Sequence, residues 1–331
     1  YLVNYYNTVP ASVTNNELAF YEKVDFNVYR EFNVNKNLVY FGKNDLNSIR
    51  NIEGIKGVYG VSSEDGYEYL NTNQLTTDYK QLHMINDNEI KGLRFDILSF
   101  DNNGINKFLV GNGFIENNAS IGSESDIPNV LVYNQFYSII QHENKNVIEN
   151  LKKGDIIKIS LPHYDINGDI QYKNHKVRVA GFLSKEWYIY SNTEQAIPDI
   201  VLLDRDFEKL VGRRGADSIY ITLNKKNSIN NVKNEIEKIY GDNLYVNIKT
   251  KADAFNDANK LVDSFKMRKV TISYFLLLMS SVNIIIGLVV SFVRNYNLYS
   301  IVNALGGNKR KLKRISLYEI LVLIVPGLLI G

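Results

Sequence analysis

Along most of the chain apolar residues come in short alternating runs, and only toward the C-terminal end do they run on without interruption. Val24-Asp25-Phe26-Asn27-Val28-Tyr29 alternates with the period of a half-buried strand. Leu46, Ile49 and Ile52 then mark one face of a short helix that Asn44-Asp45 is expected to cap. Gly54-Ile55-Lys56-Gly57 turns into a further strand, Val58 to Val61, which completes a strand–helix–strand unit. A second such unit lies far downstream. Ile219 to Leu223 reads as a strand, and Ser228 as the N-cap of a helix with Ile229, Val232, Ile236 and Ile239 on one face. Gly241 is its expected C-terminal cap, and Leu244-Tyr245-Val246-Asn247-Ile248 the strand that follows.

Between the two units the texture changes. Gly154-Asp155 opens the strand Ile156 to Ile159, Asn167-Gly168 is a hairpin-turn pair, and Lys176 to Gly181 returns. The pattern predicts an α+β chain. In it, residues 1–90 and 216–250 are the two parts of a split α/β domain, and 91–215 are a β-rich insert. From Ala252 onward Phe255, Ala258, Val262 and Phe265 recur at helical spacing, so residues 251–269 read as a stalk helix continuous with the apolar segment that follows.

The uninterrupted apolar run is Val270 to Val293, which contains no charged residue. About 20 apolar residues are enough to cross a bilayer core, so a transmembrane helix is expected over 270–293. Asn283 falls near its middle and is expected to face protein rather than lipid. A second apolar run follows Glu319 and includes Pro326-Gly327, so residues 315–331 read as the beginning of a second membrane helix.

Charge orients the pair. The chain carries 38 basic and 36 acidic residues, which become 32 and 35 once residues 294–331 are set aside. The excess of base is therefore local: Arg294, Lys309, Arg310, Lys311, Lys313 and Arg314 lie between the two apolar runs without an acid among them. This is the signature of a cytoplasmic loop, here 294–314, and it outweighs Lys266, Arg268 and Lys269 at the other end of the first helix. The large N-terminal domain is then extracytoplasmic and the protein is multi-pass in the cell membrane.

Chemistry is sparse. With no cysteine there is no disulfide, thiolate nucleophile or Cys-based zinc site. His83, His142, His163 and His175 lack metal-ligand spacing. Asp165-Ile166-Asn167-Gly168-Asp169 lacks the ligand pattern and closing Glu of a calcium loop. Gly306-Gly307-Asn308-Lys309 is not a phosphate loop. The basic run between two apolar segments is a membrane-topology signal, and no nucleic-acid partner is expected. Spacing nominates neither a catalytic residue nor a cofactor site, and no enzyme activity is expected of this chain.

One feature is sharper. Leu298, Ile301, Val302 and Leu305 fall at i, i+3, i+4 and i+7, an aliphatic stripe on a short helix ended by Gly306-Gly307. The pattern fits a helix lying in the lipid interface and equally a docking surface for a cytoplasmic partner.

The segment from Asn283 to Gly331 resembles the permease segment of MacB/FtsX/LolC-type ABC transporters. The residues that carry the resemblance are Arg294 at the end of an apolar helix, Ala304-Leu305-Gly306, the basic stretch Lys309 to Arg314, and Glu319 opening the next membrane helix. Leu298 and Asn303 stand where that family often has Glu and Arg.

The resemblance implies a porter-like split domain with a β-rich insert outside the membrane. It also implies a coupling helix, Leu298, Ile301, Val302, Leu305 and Gly306, that docks on a separate cytoplasmic ABC ATPase subunit. Asn283 and Glu319 become membrane-helix interface residues, and a second permease copy or related half becomes a partner alongside the lipid bilayer. The implied function is ATP-driven export or extraction of a peptide, lipoprotein or lipid-like compound, with movement passed through the stalk to the outer domain. The alternative is a membrane-bound sensor or regulator that detects an antimicrobial peptide or activates a cell-wall hydrolase, binding an extracytoplasmic ligand without transporting it. A third reading is an anchored binding protein with no ATPase.

Overall fold

The structure, a computed structural model, describes residues 18–30, 40–86, 90–116, 121, 126–138, 143–164, 170–189, 198–224, 229–241, 245–306, 308, 310, 313, 314 and 318. The chain divides into two compact units, Tyr1–Ala258 and Asn259–Gly331. The first is a mixed α/β unit built on a sheet-rich core.

Its outer parts form one layer of sheet and one of helix. Strand β1 (Phe26–Arg30), helix α1 (Lys43–Arg50) and strand β2 (Ile55–Asn71) are the first strand–helix–strand unit. The second is formed near the end of the domain by strand β10 (Ser218–Leu223), helix α4 (Ile229–Tyr240) and strand β11 (Val246–Thr250). The strands lie in the order β11-β1-β10-β2, each antiparallel to its neighbour. Each strand of one unit is thus separated from its mate by a strand of the other, the split arrangement of a ferredoxin-like sheet. Alternation dictates the buried face: Phe26, Val28, Ile219 and Ile221 are fully buried and meet Ile49 of α1 with Val232 and Ile236 of α4.

The expected helix caps resolve in detail. Helix α1 begins at Lys43 with Gly42 as its cap, and Asp45 in the first turn accepts the Gly42 N–H at 2.7 Å. The Asn44-Asp45 pair therefore lies inside the helix rather than before it. Gly241 takes φ +57° and donates to Glu237 O at 2.8 Å, as a left-handed C-terminal cap does. Ser228 and Leu244 lie outside the described residues.

Strand β2 is much longer than the Val58–Val61 segment expected, at 17 residues. Its first part completes the ferredoxin-like sheet and its second part starts another assembly. There it pairs with β3 (Ile90–Phe100), followed in lateral order by β9 (Asp199–Leu203), β4 (Asn129–Tyr133), β8 (Ile170–Phe182) and β7 (Ile156–Tyr164). A pairing of Tyr67 on β2 with Ser160 on β7 closes these six strands into a ring. The β-rich part therefore reaches upstream of 91: Leu70, Leu75 and Tyr79 (helix α2, Thr77–Leu82) pack into the same core as Phe95, Ile159 and Val179.

Strands β4 and β9 are buried at every position. Val130, Val132, Ile200 and Leu202 face the ring interior, whereas Leu131, Tyr133, Val201 and Leu203 face a second layer with Phe108, Phe114 and Trp187. Helix α3 (Asp204–Val211) follows β9 and adds Phe207, Leu210 and Val211 to the interior. A small hairpin, β5 (Gln135–Ser138) with β6 (Glu143–Asn146), stands beside the ring as a separate sheet.

The last element is helix α5, Lys251–Ala304, 54 residues without a break. The stalk and the apolar segment, expected to be continuous, and the aliphatic stripe, expected on a short helix of its own, are successive turns of this one helix. The chemical reason is plain in the sequence: neither Gly nor Pro occurs between Gly287 and Gly306, so nothing interrupts the ladder after the apolar run.

Candidate functional site

The helix begins with a reciprocal cap. Asp253 Oδ2 accepts the Thr250 N–H at 3.0 Å, and the Asp253 N–H returns a bond to Thr250 Oγ1 at 3.1 Å. Two ion pairs secure the same turns within the first unit, Lys233 on α4 to Asp253 at 3.4 Å and Lys249 on β11 to Asp257 at 3.1 Å. Ala254 and Ala258 are buried between them. The start of α5 is thus fastened to both elements that precede it.

Beyond that start the character reverses. Among the described residues α5 is the one helix long and apolar enough to cross a membrane, and none of its most apolar stretch is buried by this chain. It is therefore not a core helix of this fold. Leu276, Leu277, Ile285, Val289 and Val293 are all more than half exposed. From Val270 to Val293 the helix rises about 36 Å at 1.5 Å per residue, against a hydrocarbon core of about 30 Å. Its hydroxyls are satisfied internally, Thr271 donating to Met267 O at 2.9 Å and Ser281 to Leu277 O at 2.8 Å. Asn283 is exposed within the chain.

The far end of α5 has two faces. Phe292 contacts Tyr296 and Tyr299 with ring centroids 6.3 and 5.9 Å apart. Counted at about 100° per residue, the stripe Leu298, Ile301, Val302 and Leu305 lies largely on the opposite side. Leu298, Ile301 and Leu305 are 59%, 60% and 82% exposed, and Val302 is half-buried. Gly306, at φ +80°, donates to Asn303 O at 3.1 Å and ends the helix. Gly307, Lys309, Lys311 and Glu319 lie outside the described residues.

In the first unit, pattern reading missed Arg213. Its guanidinium is bidentate on Asp217, at 2.7 and 3.0 Å, and donates as well to the Ser63 carbonyl. Glu64 stands 3.5 Å away and accepts the Tyr164 hydroxyl at 3.2 Å, while the rings of Tyr40 and Phe207 lie 4.6 and 5.2 Å from the guanidinium carbon. Burial raises the Glu64 carboxyl above its ordinary range despite the attraction of Arg213. The cluster joins β2 and β7 of the ring to the segment that returns to β10, so it is a clamp between the two halves of the domain. Arg213 and its neighbour Arg214 look alike in the sequence, and only the fold distinguishes the buried one from the exposed one.

No family model matches the chain, and no curated protein matches it. Two solved structures are similar to part of it. One is the extracellular domain of the noncanonic ABC-type transporter YknZ from Gram-positive bacteria, at 9% identity and a TM-score of 0.42, covering 69% of this chain and 100% of that one. The other is the periplasmic region of MacB from Actinobacillus actinomycetemcomitans, at 10% identity and a TM-score of 0.42, covering 72% of this chain and 95% of that one.

The remaining singled-out residues are dispersed. His83 packs on Tyr79 with ring centroids 4.4 Å apart, and His163 Nδ1 lies 3.1 Å from Leu210 O. Burial holds His175 below the ordinary imidazole value. His142 and Asp165 to Asp169 lie outside the described residues. Among the described residues no group of His, Asp and Glu is arranged to hold a metal ion.

Proposed function

We propose that this chain is part of the permease subunit of a MacB/FtsX-type ABC transporter, with the unit Tyr1–Ala258 outside the cell membrane. The observation that carries the reading is the continuity of α5. One helix bears a capped and ion-paired start, an uncharged apolar stretch and an exposed aliphatic stripe. In this reading a separate cytoplasmic ATPase docks on Leu298, Ile301, Val302 and Leu305, and its closure displaces the helix. A second permease copy or related half packs beside the membrane helices through Asn283 and Glu319. Work is then done on an extracytoplasmic peptide, lipoprotein or lipid-like compound.

Continuity also favours docking over an interfacial helix. A stripe that continues a membrane-crossing helix without a break points away from the bilayer, whereas an in-plane helix needs a break near Arg294. The test is co-purification of the intact protein with a tagged cytoplasmic ABC ATPase, comparing wild type with a Leu298→Asp, Ile301→Asp, Leu305→Asp variant. Capture by the wild type and its loss in a variant still inserted in the membrane is the expected result. An inserted wild type that captures no ATPase removes the mechanism and favours the ligand-sensing or anchored-binding alternatives.

A further inference from the structure

The unit Tyr1–Ala258 contains a cleft of ≈ 530 Å³ between the start of α1 and the side of α3. That is the size of a small-molecule site, and it lies where the ferredoxin-like sheet meets the ring, the kind of junction at which such sites concentrate. Leu46 and Phe207 supply apolar lining. Four charged residues, Lys43, Arg214, Asp204 and Glu208, also line it.

Two cations and two carboxylates share one cleft, yet none of the four forms an ion pair with another described residue. Asp204 Oδ1 accepts the hydroxyl of the buried Ser99 at 2.8 Å, and Oδ2 receives no hydrogen bond from a described residue. Burial, with the nearby charges of Asp101 and Glu208, lifts its carboxyl to about 6 against the pull of Ser99 and Lys43. Opposite charges that line one cavity without a direct ion pair among them are complementary to a ligand that carries both.

We propose that this cleft binds a small zwitterion of the amino-acid or dipeptide type. Its ammonium is received by Asp204 and Glu208, its carboxylate by Lys43 and Arg214, and its apolar side chain by Leu46 and Phe207. The proposal does not depend on the transporter reading, since every residue it uses belongs to the first unit.

The test uses the full chain in detergent, with leucine and the dipeptide Gly-Leu as zwitterions. Leucinamide and N-acetylleucine each present one charge alone. Isothermal titration and thermal shift are expected to give millimolar or tighter binding of the zwitterions and a raised Tm. Either single-charge analogue should bind about tenfold or more weakly, the equivalent of one lost charge-assisted hydrogen bond. Glu208→Gln and Lys43→Met, neither of them a buried residue, should each weaken binding by a similar factor while leaving the ligand-free Tm unchanged. The proposal is overturned if neither zwitterion binds at millimolar concentration, if leucinamide or N-acetylleucine binds as well as leucine, or if both variants bind as the wild type does.

Discussion

The hydroxyl of Thr250 donates to Asp253 Oδ2 at 2.8 Å, while the Asp253 N–H donates back to the same hydroxyl at 3.1 Å. Thr250 is the last residue of strand β11 and Asp253 lies in the first turn of α5, so this pair is the hydrogen-bonded joint between them. Loss of a cap of this kind costs about 1 kcal/mol. Asp253→Ala also removes the Lys233 contact and is expected to lower the stability of the first unit by about 1–2 kcal/mol, read as a lowered urea midpoint. Burial opposes the Asp253 charge, but the Thr250 bonds and Lys233 outweigh it and hold the carboxyl below its ordinary 3.8. The stabilisation from this group is therefore present above that value and is lost as the pH falls below it. A wild-type advantage over Asp253→Ala that persists undiminished well into the acid range contradicts this assignment.

Gly66 occupies the point where the ring closes. A methyl group on it would lie 2.5 Å from Ile97 Cδ1 and 3.0 Å from Leu161 Cδ2, side chains of β3 and β7. The neighbouring residue, Tyr67, makes the pairing with Ser160 that joins β2 to β7. Overpacking of a filled core costs typically 1–3 kcal/mol, and Gly66→Val is expected to fall in the upper part of that range. Hydrogen exchange separates this effect from a general one: protection should fall first in β7 and in the second part of β2. Uniform loss across β1, β10 and β11 as well would show that Gly66 is not specific to closure.

The same region explains what could and could not be foreseen from sequence. Phe26, Val28, Ile219 and Ile221 alternate cleanly because one face of their sheet is buried and the other is not, and Val232 and Ile236 recur at helical spacing for the matching reason. Strand β2 hides its length because Ser62-Ser63-Glu64-Asp65-Gly66 reads as a turn. It stays extended because its partners lie elsewhere in the chain. Asp65 meets Arg94 at 2.8 Å, and the Ser63 N–H reaches Asp217 at 2.7 Å. Nor does any local pattern announce that Ile97 will lie beside Ile200 in a parallel pair. The aliphatic stripe on α5 was legible by spacing, but its place on an unbroken helix was not, because an apolar run and an amphipathic run look like separate elements when read by composition. The cleft charges were invisible, since Lys43 is separated from Asp204, Glu208 and Arg214 by a long stretch of chain.

Glu68 gives the first unit a pH dependence opposite in sign to that of Asp253. Burial pushes its carboxyl up to about 7, against the hydrogen bond from the Lys158 N–H at 3.2 Å and the charge of Lys158. A carboxyl raised in the folded state binds its proton more tightly there than in the unfolded chain. Its contribution is therefore complete below the ordinary value and is lost as the pH rises from about 4.5 to about 7. Glu68→Gln keeps an acceptor for Lys158 and cannot ionise. It should match the wild type near pH 4 and exceed it in Tm at pH 8, and identical pH profiles for the two proteins would rule out this role.

Continuity of α5 beyond Val293 makes a prediction that docking alone does not. If the stripe at 298–305 serves only to hold a partner, a flexible joint above it changes nothing. If the helix carries movement, a joint there uncouples the two ends. Asn297 lies between the last apolar turn and Leu298, outside both the aromatic contacts of Phe292 and the aliphatic stripe. Proline inside a helix removes one ladder bond and costs about 3 kcal/mol locally, enough to kink or break α5 at that turn. Asn297→Pro is therefore expected to retain capture of the ATPase to within a few-fold while abolishing any ATP-dependent change in the outer unit. That change can be followed with a spin or fluorophore pair placed on a cysteine-free background, which this sequence already provides. Full ATP-dependent response in the Asn297→Pro protein would mean that the helix is a tether and that movement, if it passes at all, travels by another element. Loss of capture and response together would return the explanation to docking. Only retained capture with lost response identifies α5 as the transmitting element.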